Sequence, residues 1–111
     1  MVAPAAGAVV LVRFPFSDLS QTKLRPAVVL AGACRGDWIL CQVTSKPYGD
    51  AGAVKPEDVS FTTGSLRITS YARPGKLFTA NRDLIVEQVA TLKPEWLTRI
   101  VDAVVDLLRG A

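Results

Sequence analysis

Between Val9 and Leu92 no apolar run goes far before a proline, a glycine or a polar cluster interrupts it, and that punctuation restricts the chain to short strands. Val9 to Phe14 is aliphatic enough to be buried on most of its surface, and Pro15 ends it. A second strand is expected over Ala27 to Ala31, stopping at Gly32, and Gly36-Asp37 turns the chain into a third. That third run, Trp38 to Thr44, alternates: Ile39, Cys41 and Val43 on one face, Trp38, Leu40, Gln42 and Thr44 on the other. Weaker runs follow at Val59 to Phe61, at Leu66 to Tyr71 after a turn at Thr63-Gly64-Ser65, and at Leu77 to Thr79 after Pro74-Gly75. In Leu84 to Leu92, Ile85, Val89 and Leu92 also fit helical spacing, but the β-branched content favours a strand. Only the last segment reads as a helix, over 94–109. Pro94 suits its first turn, Glu95 its positive end and Arg109-Gly110 its stop, while Leu97, Ile100, Val101, Val104 and Leu108 recur at helical steps. Trp96, Val105 and Leu107 widen that stripe, so part of it is available to a partner subunit. The fold class expected is mainly β with α, a small barrel or sandwich carrying a C-terminal amphipathic helix.

At 111 residues the chain is expected to be a single domain, with 1–7 as a short leader of small residues. Its formal charge of +3 permits a polyanionic partner without requiring one. The chain has no histidine, which excludes Ser-His-Asp triads, histidine acid–base pairs and histidine metal clusters. Two cysteines, Cys34 and Cys41, cannot build a four-ligand metal site, so no metal is expected, and Cys41 reads as a small buried hydrophobe. No glycine-rich phosphate loop is present, so no nucleotide cofactor is expected. Glu57-Asp58, after Pro56, reads as a solvated turn. Val2 to Val12 lacks a preceding cation, is interrupted by Pro4 and Gly7, and is too short to span a bilayer; a soluble, cytoplasmic protein with no membrane partner is the expectation.

The stretch Phe14 to Leu30 joins two apolar strands through a polar, cationic loop, and such loops more often carry function than merely turn the chain. Arg25 stands where that loop becomes strand, and Pro26 fixes the backbone beside it. Phe16, Ser20, Gln21, Thr22, Lys23 and Arg25 on this connection, Thr44, Ser45 and Lys46 on the next, and Arg73 with Lys76 on a third form a set of cations, hydroxyls and aromatics. Phosphate and unstacked-base recognition uses such groups, and so does an ordinary solvated surface; the spacing alone leaves both readings open.

The run from Val9 to Ser20, followed by Lys23-Leu-Arg-Pro-Ala-Val-Val-Leu30, strongly resembles the opening of the MazF/PemK toxins. Cys41-Gln-Val-Thr-Ser45 is similar to their second motif, and Ser70-Tyr-Ala-Arg-Pro-Gly-Lys-Leu-Phe-Thr79 to their third. The resemblance implies an SH3-like β-barrel, a two-fold homodimer, and a cognate antitoxin that blocks the substrate groove. It also implies metal-free, sequence-selective cleavage of single-stranded RNA without a cofactor, leaving 2′,3′-cyclic phosphate and 5′-hydroxyl ends. Carried onto this chain, Arg25 and Thr44 are the implied catalytic residues. Phe16, Ser20, Gln21, Thr22, Lys23, Ser45, Lys46 and Arg73 are the implied RNA-binding ones, with Ser17 to Leu24 and Lys46 to Lys55 choosing the sequence cut. Two departures stand out: Ala90 replaces a glycine that many relatives carry before the final helix, and the leader extends past the usual start. The alternatives are a CcdB-like gyrase-inhibiting toxin, against which the ending Arg109-Gly110-Ala111 argues, and an RNA-binding barrel without cleavage.

Overall fold

The structure is a computed structural model that describes residues 5–15, 22–45, 54, 61–64 and 70–110, with the side chains at 14, 15, 22, 23, 34, 62 and 63 left aside. Six strands form one antiparallel sheet: β1 (Ala8–Pro15), β2 (Thr22–Gly32), β3 (Asp37–Thr44), β4 (Phe61–Gly64), β5 (Tyr71–Asn81) and β6 (Ile85–Leu92). Their spatial order is β4-β6-β1-β2-β3-β5. One helix, α1 (Pro94–Arg109), follows. The mainly β class with a C-terminal helix is as the sequence indicated. Among the described residues no ladder joins the edge strands β4 and β5, so the sheet is open and the word barrel overstates its closure.

Alternation along the strands sorts the core into two layers. Ala8, Val10, Val12, Ala27, Val29, Leu40, Ala80 and Ile85 pack on one face, with Trp38 and Phe78 against them. Val9, Val28, Cys41, Val43, Ala72, Ala90, Leu92 and Ile100 pack on the other. Ile100 comes from α1, so the helix lies against this second face, where Trp96 and Leu97 add their partly buried surfaces. β1 is buried on both sides at Val9 and Val10, which is why it lacks the alternation of a half-solvated strand.

Pro94 stands in the first turn of α1, and Gly110, left-handed at φ 74°, closes the helix by donating its N–H to Asp106 and Leu107 carbonyls. Ile100 and Val104 are buried, but Leu108, expected in the same stripe, is 75% exposed. Leu107, Val101 and Val105 are exposed too. The helix therefore turns a narrower stripe to the sheet than its composition suggests.

Three sequence expectations are corrected. β2 starts at Thr22, five residues ahead of Ala27, because Thr22, Lys23, Leu24 and Arg25 pair with Pro15, Phe14, Arg13 and Val12; the polar Thr22, Lys23 and Arg25 hid a strand whose partner supplies the pairing. Pro74-Gly75 does not divide two strands. β5 runs through it, and the pairing shifts from Cys41–Leu77 to Val43–Ala72, a bulge that an edge strand tolerates because a missing N–H there breaks no inner ladder. Thr63 and Gly64 lie in β4 rather than in a turn. By contrast, β6 bears out the strand reading of Leu84 to Leu92, and α1 spans the residues expected. The run at 65–69 lies outside the described residues.

Gly7, assigned to a leader, is part of the sheet's hydrogen bonding. Its N–H donates to the Val29 carbonyl at 2.8 Å and its carbonyl accepts from Leu92 N–H at 2.9 Å, tying β2 to β6 at φ 94°. Gly64 is more restricted. At φ 69° a Cβ there would run into the Val89 carbonyl and lie 2.9 Å from Ala90 Cα. Gly64→Ala is expected to destabilise the protein by about 1–3 kcal/mol, visible as a fall in Tm, since it combines a left-handed backbone with a backbone clash. Gly32→Ala, where a Cβ meets nothing within 4 Å, should stay within about 0.5 kcal/mol of the parent.

Candidate functional site

Arg25 lies inside β2, paired with Val12, on the face shared by Val10, Ala27 and Val29. Thr44 ends β3 and pairs with Tyr71 of β5. Because Leu40 belongs to the first core layer and Cys41 and Val43 to the second, Thr44 falls on the same face as Leu40. The β2–β3 ladder runs Val29–Leu40, Val28–Cys41, Ala27–Gln42. Two further steps in that register make Arg25 the position opposite Thr44. Pro26 has no N–H to give, and the described ladder stops at Ala27, leaving Arg25 and Thr44 just past its end.

Ala72 is buried in the second layer, so its neighbours Tyr71 and Arg73 take the opposite face, that of Thr44 and Arg25. The result is a row across three neighbouring strands, Arg25, Thr44 and Tyr71, with Arg73 one alternation further along β5. Adjacent hydrogen-bonded strands stand about 4.8 Å apart, which sets Thr44 and Tyr71 side by side, and Arg25 joins them where the β2–β3 register is extended by two steps. Arg25 is exposed, while Thr44, Tyr71 and Arg73 are half-buried at the margin of the first core layer. Arg25, Thr44 and Arg73 each take part in polar, ionic or ring interactions.

The β5 bulge supplies the mounting for Arg73. The buried Cys41 thiol donates to the Arg73 carbonyl at 3.1 Å, joining β3 to the bulge across 32 residues of sequence. Ala72 is bonded on its other side to Val54, N–H to carbonyl in both directions, at 2.9 and 2.7 Å. Cys41 is thus the buried small residue that its alternation indicated, with an added polar contact that sequence alone does not disclose.

Of the other residues singled out in the sequence, Ser45 is exposed, one residue past the end of β3. Thr22 and Lys23 have their backbones in β2, with side chains outside the description. Phe16, Ser20, Gln21 and Lys46 lie outside the described residues, as do Tyr48 and the Glu57-Asp58 pair. Lys76 is exposed in the bulge. Among the described residues no three His, Cys, Asp or Glu side chains gather where they could hold a metal ion.

The family model of the PemK-like, MazF-like toxins of type II toxin–antitoxin systems matches residues 5–108. The chain belongs to that family. No curated protein sequence matches it significantly. Solved MazF structures share its fold. MazF in a MazE–MazF crystal from Deinococcus radiodurans superposes with a TM-score of 0.78 at 23% identity, over 100% of both chains. An endoribonuclease bound to its cognate antitoxin, from a mycobacterial species, gives a TM-score of 0.71 at 16% identity, covering 99% of this chain and 96% of that one. The Mycobacterium tuberculosis toxin MazF-mt6 gives 0.72 at 14% identity, covering 92% and 96%. At these identities the shared property is the fold. No helix among the described residues of this MazF-like toxin is long and apolar enough to cross a membrane.

Sequence reasoning passed over Tyr71 as the last residue of a weak strand. The signal that finds it is pairing, since only the β3–β5 register sets it beside Thr44. Cys41→Ala should cost about 1–2 kcal/mol in denaturant unfolding, through the small cavity and the lost bond to the Arg73 carbonyl, while leaving the secondary structure intact.

Proposed function

We propose that this family member is an endoribonuclease that cleaves single-stranded RNA, chiefly mRNA, at selected sequences, without a metal ion. The observation that carries the proposal is the placement of Arg25 and Thr44 on one face of neighbouring strands, at positions opposite each other when the β2–β3 register is extended. In the proposed reaction the ribose 2′-hydroxyl attacks the adjacent phosphorus in line. Its proton passes to water, negative charge builds on the non-bridging oxygens, and the 5′-oxygen departs with a proton returned from water. The products are a 2′,3′-cyclic phosphate and a 5′-hydroxyl.

Arg25 is suited to the charge that develops. Its guanidinium offers a planar fork of donors and no lone pair to accept a proton, so its role is to stabilise the phosphorane, not to act as base. Thr44 adds a hydroxyl donor from the next strand. Donors fixed beforehand by a sheet need no reorganisation as charge appears, which is the larger part of their value. Arg73, Thr22, Lys23, Ser45 and Lys46 contact phosphates and sugars along the bound strand, and Phe16, Ser20 and Gln21 meet bases or riboses. The chain has no histidine, which removes histidine acid–base catalysis and is consistent with this electrostatic route.

The same proposal includes a homodimer, a cytoplasmic location and a cognate antitoxin. The exposed Val105, Leu107 and Leu108 on α1 support burial against another chain, and the net charge of +3 suits an acidic antitoxin segment.

Purified toxin should cut a single-stranded RNA in the presence of a chelator and leave cyclic phosphate ends, and the all-deoxy strand of the same sequence should stay intact. Arg25→Ala and Thr44→Ala should each lower the cleavage rate about a hundred- to a thousand-fold. Intact RNA would overturn the proposal, and trapping of gyrase on DNA by the same preparation would replace it with the gyrase-poisoning reading.

A further inference from the structure

The proposed chemistry uses Arg25 and Thr44 but leaves unassigned the third member of the row. Tyr71 pairs directly with Thr44, and in an antiparallel pair the side chains of opposed residues lie on one face with Cβ atoms about 4.5–5.5 Å apart. Its ring is half-buried, so part of it stays open to solvent, and among the described residues it joins neither core layer. Its backbone, in contrast, is held on both sides. The next residue, Ala72, is wholly buried, pairs with Val43 of β3 and exchanges two hydrogen bonds with Val54. One residue further on, the Cys41 thiol fixes the Arg73 carbonyl.

We infer that Tyr71 is the stacking platform for an RNA base beside the phosphate that Arg25 and Thr44 meet, an inference that rests on the endoribonuclease reading above. An unstacked base in single-stranded RNA needs an aromatic face, and a ring mounted on fixed backbone supplies one without an ordering cost at binding. Arg73, on the same face one alternation along the strand, takes the phosphate that follows the stacked base. Stacking accepts any base, because each presents a π-face, so Tyr71 contributes affinity and position while leaving the choice of sequence to other residues. The Tyr71 hydroxyl has no part in this role. A proton carrier at this position would need the hydroxyl; a platform needs only the ring.

The test compares the parent with Tyr71→Phe, Tyr71→Leu and Tyr71→Ala, each first shown by circular dichroism and thermal melting to be folded. Binding is measured with a single-stranded RNA blocked by one 2′-deoxyribose at the cut site, carrying a fluorescent adenine analogue beside it. Cleavage of the unblocked strand gives kcat and KM. Tyr71→Leu and Tyr71→Ala should weaken binding roughly five- to a hundred-fold and raise KM accordingly, with the quenching of the fluorescent base lost; Tyr71→Phe should retain both affinity and quenching. Unchanged affinity in Tyr71→Leu and Tyr71→Ala would overturn the inference, and so would a Tyr71→Phe variant as impaired as Tyr71→Ala. If those results came from a parent that cleaves RNA and depends on Arg25, only the Tyr71 inference would fall. A folded parent that neither binds nor cuts RNA would remove the endoribonuclease reading, and this inference with it.

Discussion

The pairing of β2 with β3 is the constraint on which the remaining structure depends. Val28 against Cys41 and Val29 against Leu40 place one apolar partner on each face of the sheet, so a slip of one residue would turn both core layers inside out. That penalty fixes the register firmly. Extended two steps past Ala27 and Gln42, beyond Pro26, which has no N–H, the same register sets Arg25 opposite Thr44. The core and the candidate site are two consequences of one alignment.

The other edge of the site depends on a departure from regularity. β5 spends six residues, Ala72 to Leu77, where β3 spends three, Cys41 to Val43, and that surplus contains Pro74 and Gly75. A proline in an inner strand would break a ladder, but at the sheet's edge it turns the chain without disrupting the core. The irregularity lies beyond Ala72, so Tyr71 stays in phase with Thr44, and the Cys41 thiol holds the Arg73 carbonyl to the straight strand beside it. Local irregularity next to a regular ladder therefore gathers groups that neither strand could present alone.

Much of this was legible in the residues themselves. The alternation of Trp38 to Thr44 assigned Trp38 and Leu40 to one face and Cys41 and Val43 to the other, as the two core layers have them. The caps and spacing of 94–109 gave α1 its bounds. What escaped was whatever pairing decides. Thr22, Lys23 and Arg25 are polar or charged and the stretch read as loop, yet β1 recruits it because its own backbone needs a partner there. Pro74-Gly75 read as a break because local signals do not say whether a strand lies at an edge. Tyr71 stood in the third motif without a role of its own until β3 was set beside it. Gly7 read as leader because its value lies in two backbone hydrogen bonds, which composition does not record. Leu108 fitted the helical stripe by spacing, yet it stands 75% exposed, because four-residue steps drift around the helix away from buried Ile100.

The central claim is that Arg25 and Thr44 act on one phosphate as a single unit. A double-mutant cycle in RNA cleavage tests it most directly, using Arg25→Ala, Thr44→Ala and the two together at saturating substrate. If both donors stabilise the same transition-state charge, their effects are strongly non-additive, and the double variant should cut RNA within about ten-fold of the slower single variant. Losses that simply multiply in the double variant would show that the two residues act independently, and would contradict the account of a shared site built by the β2–β3 register.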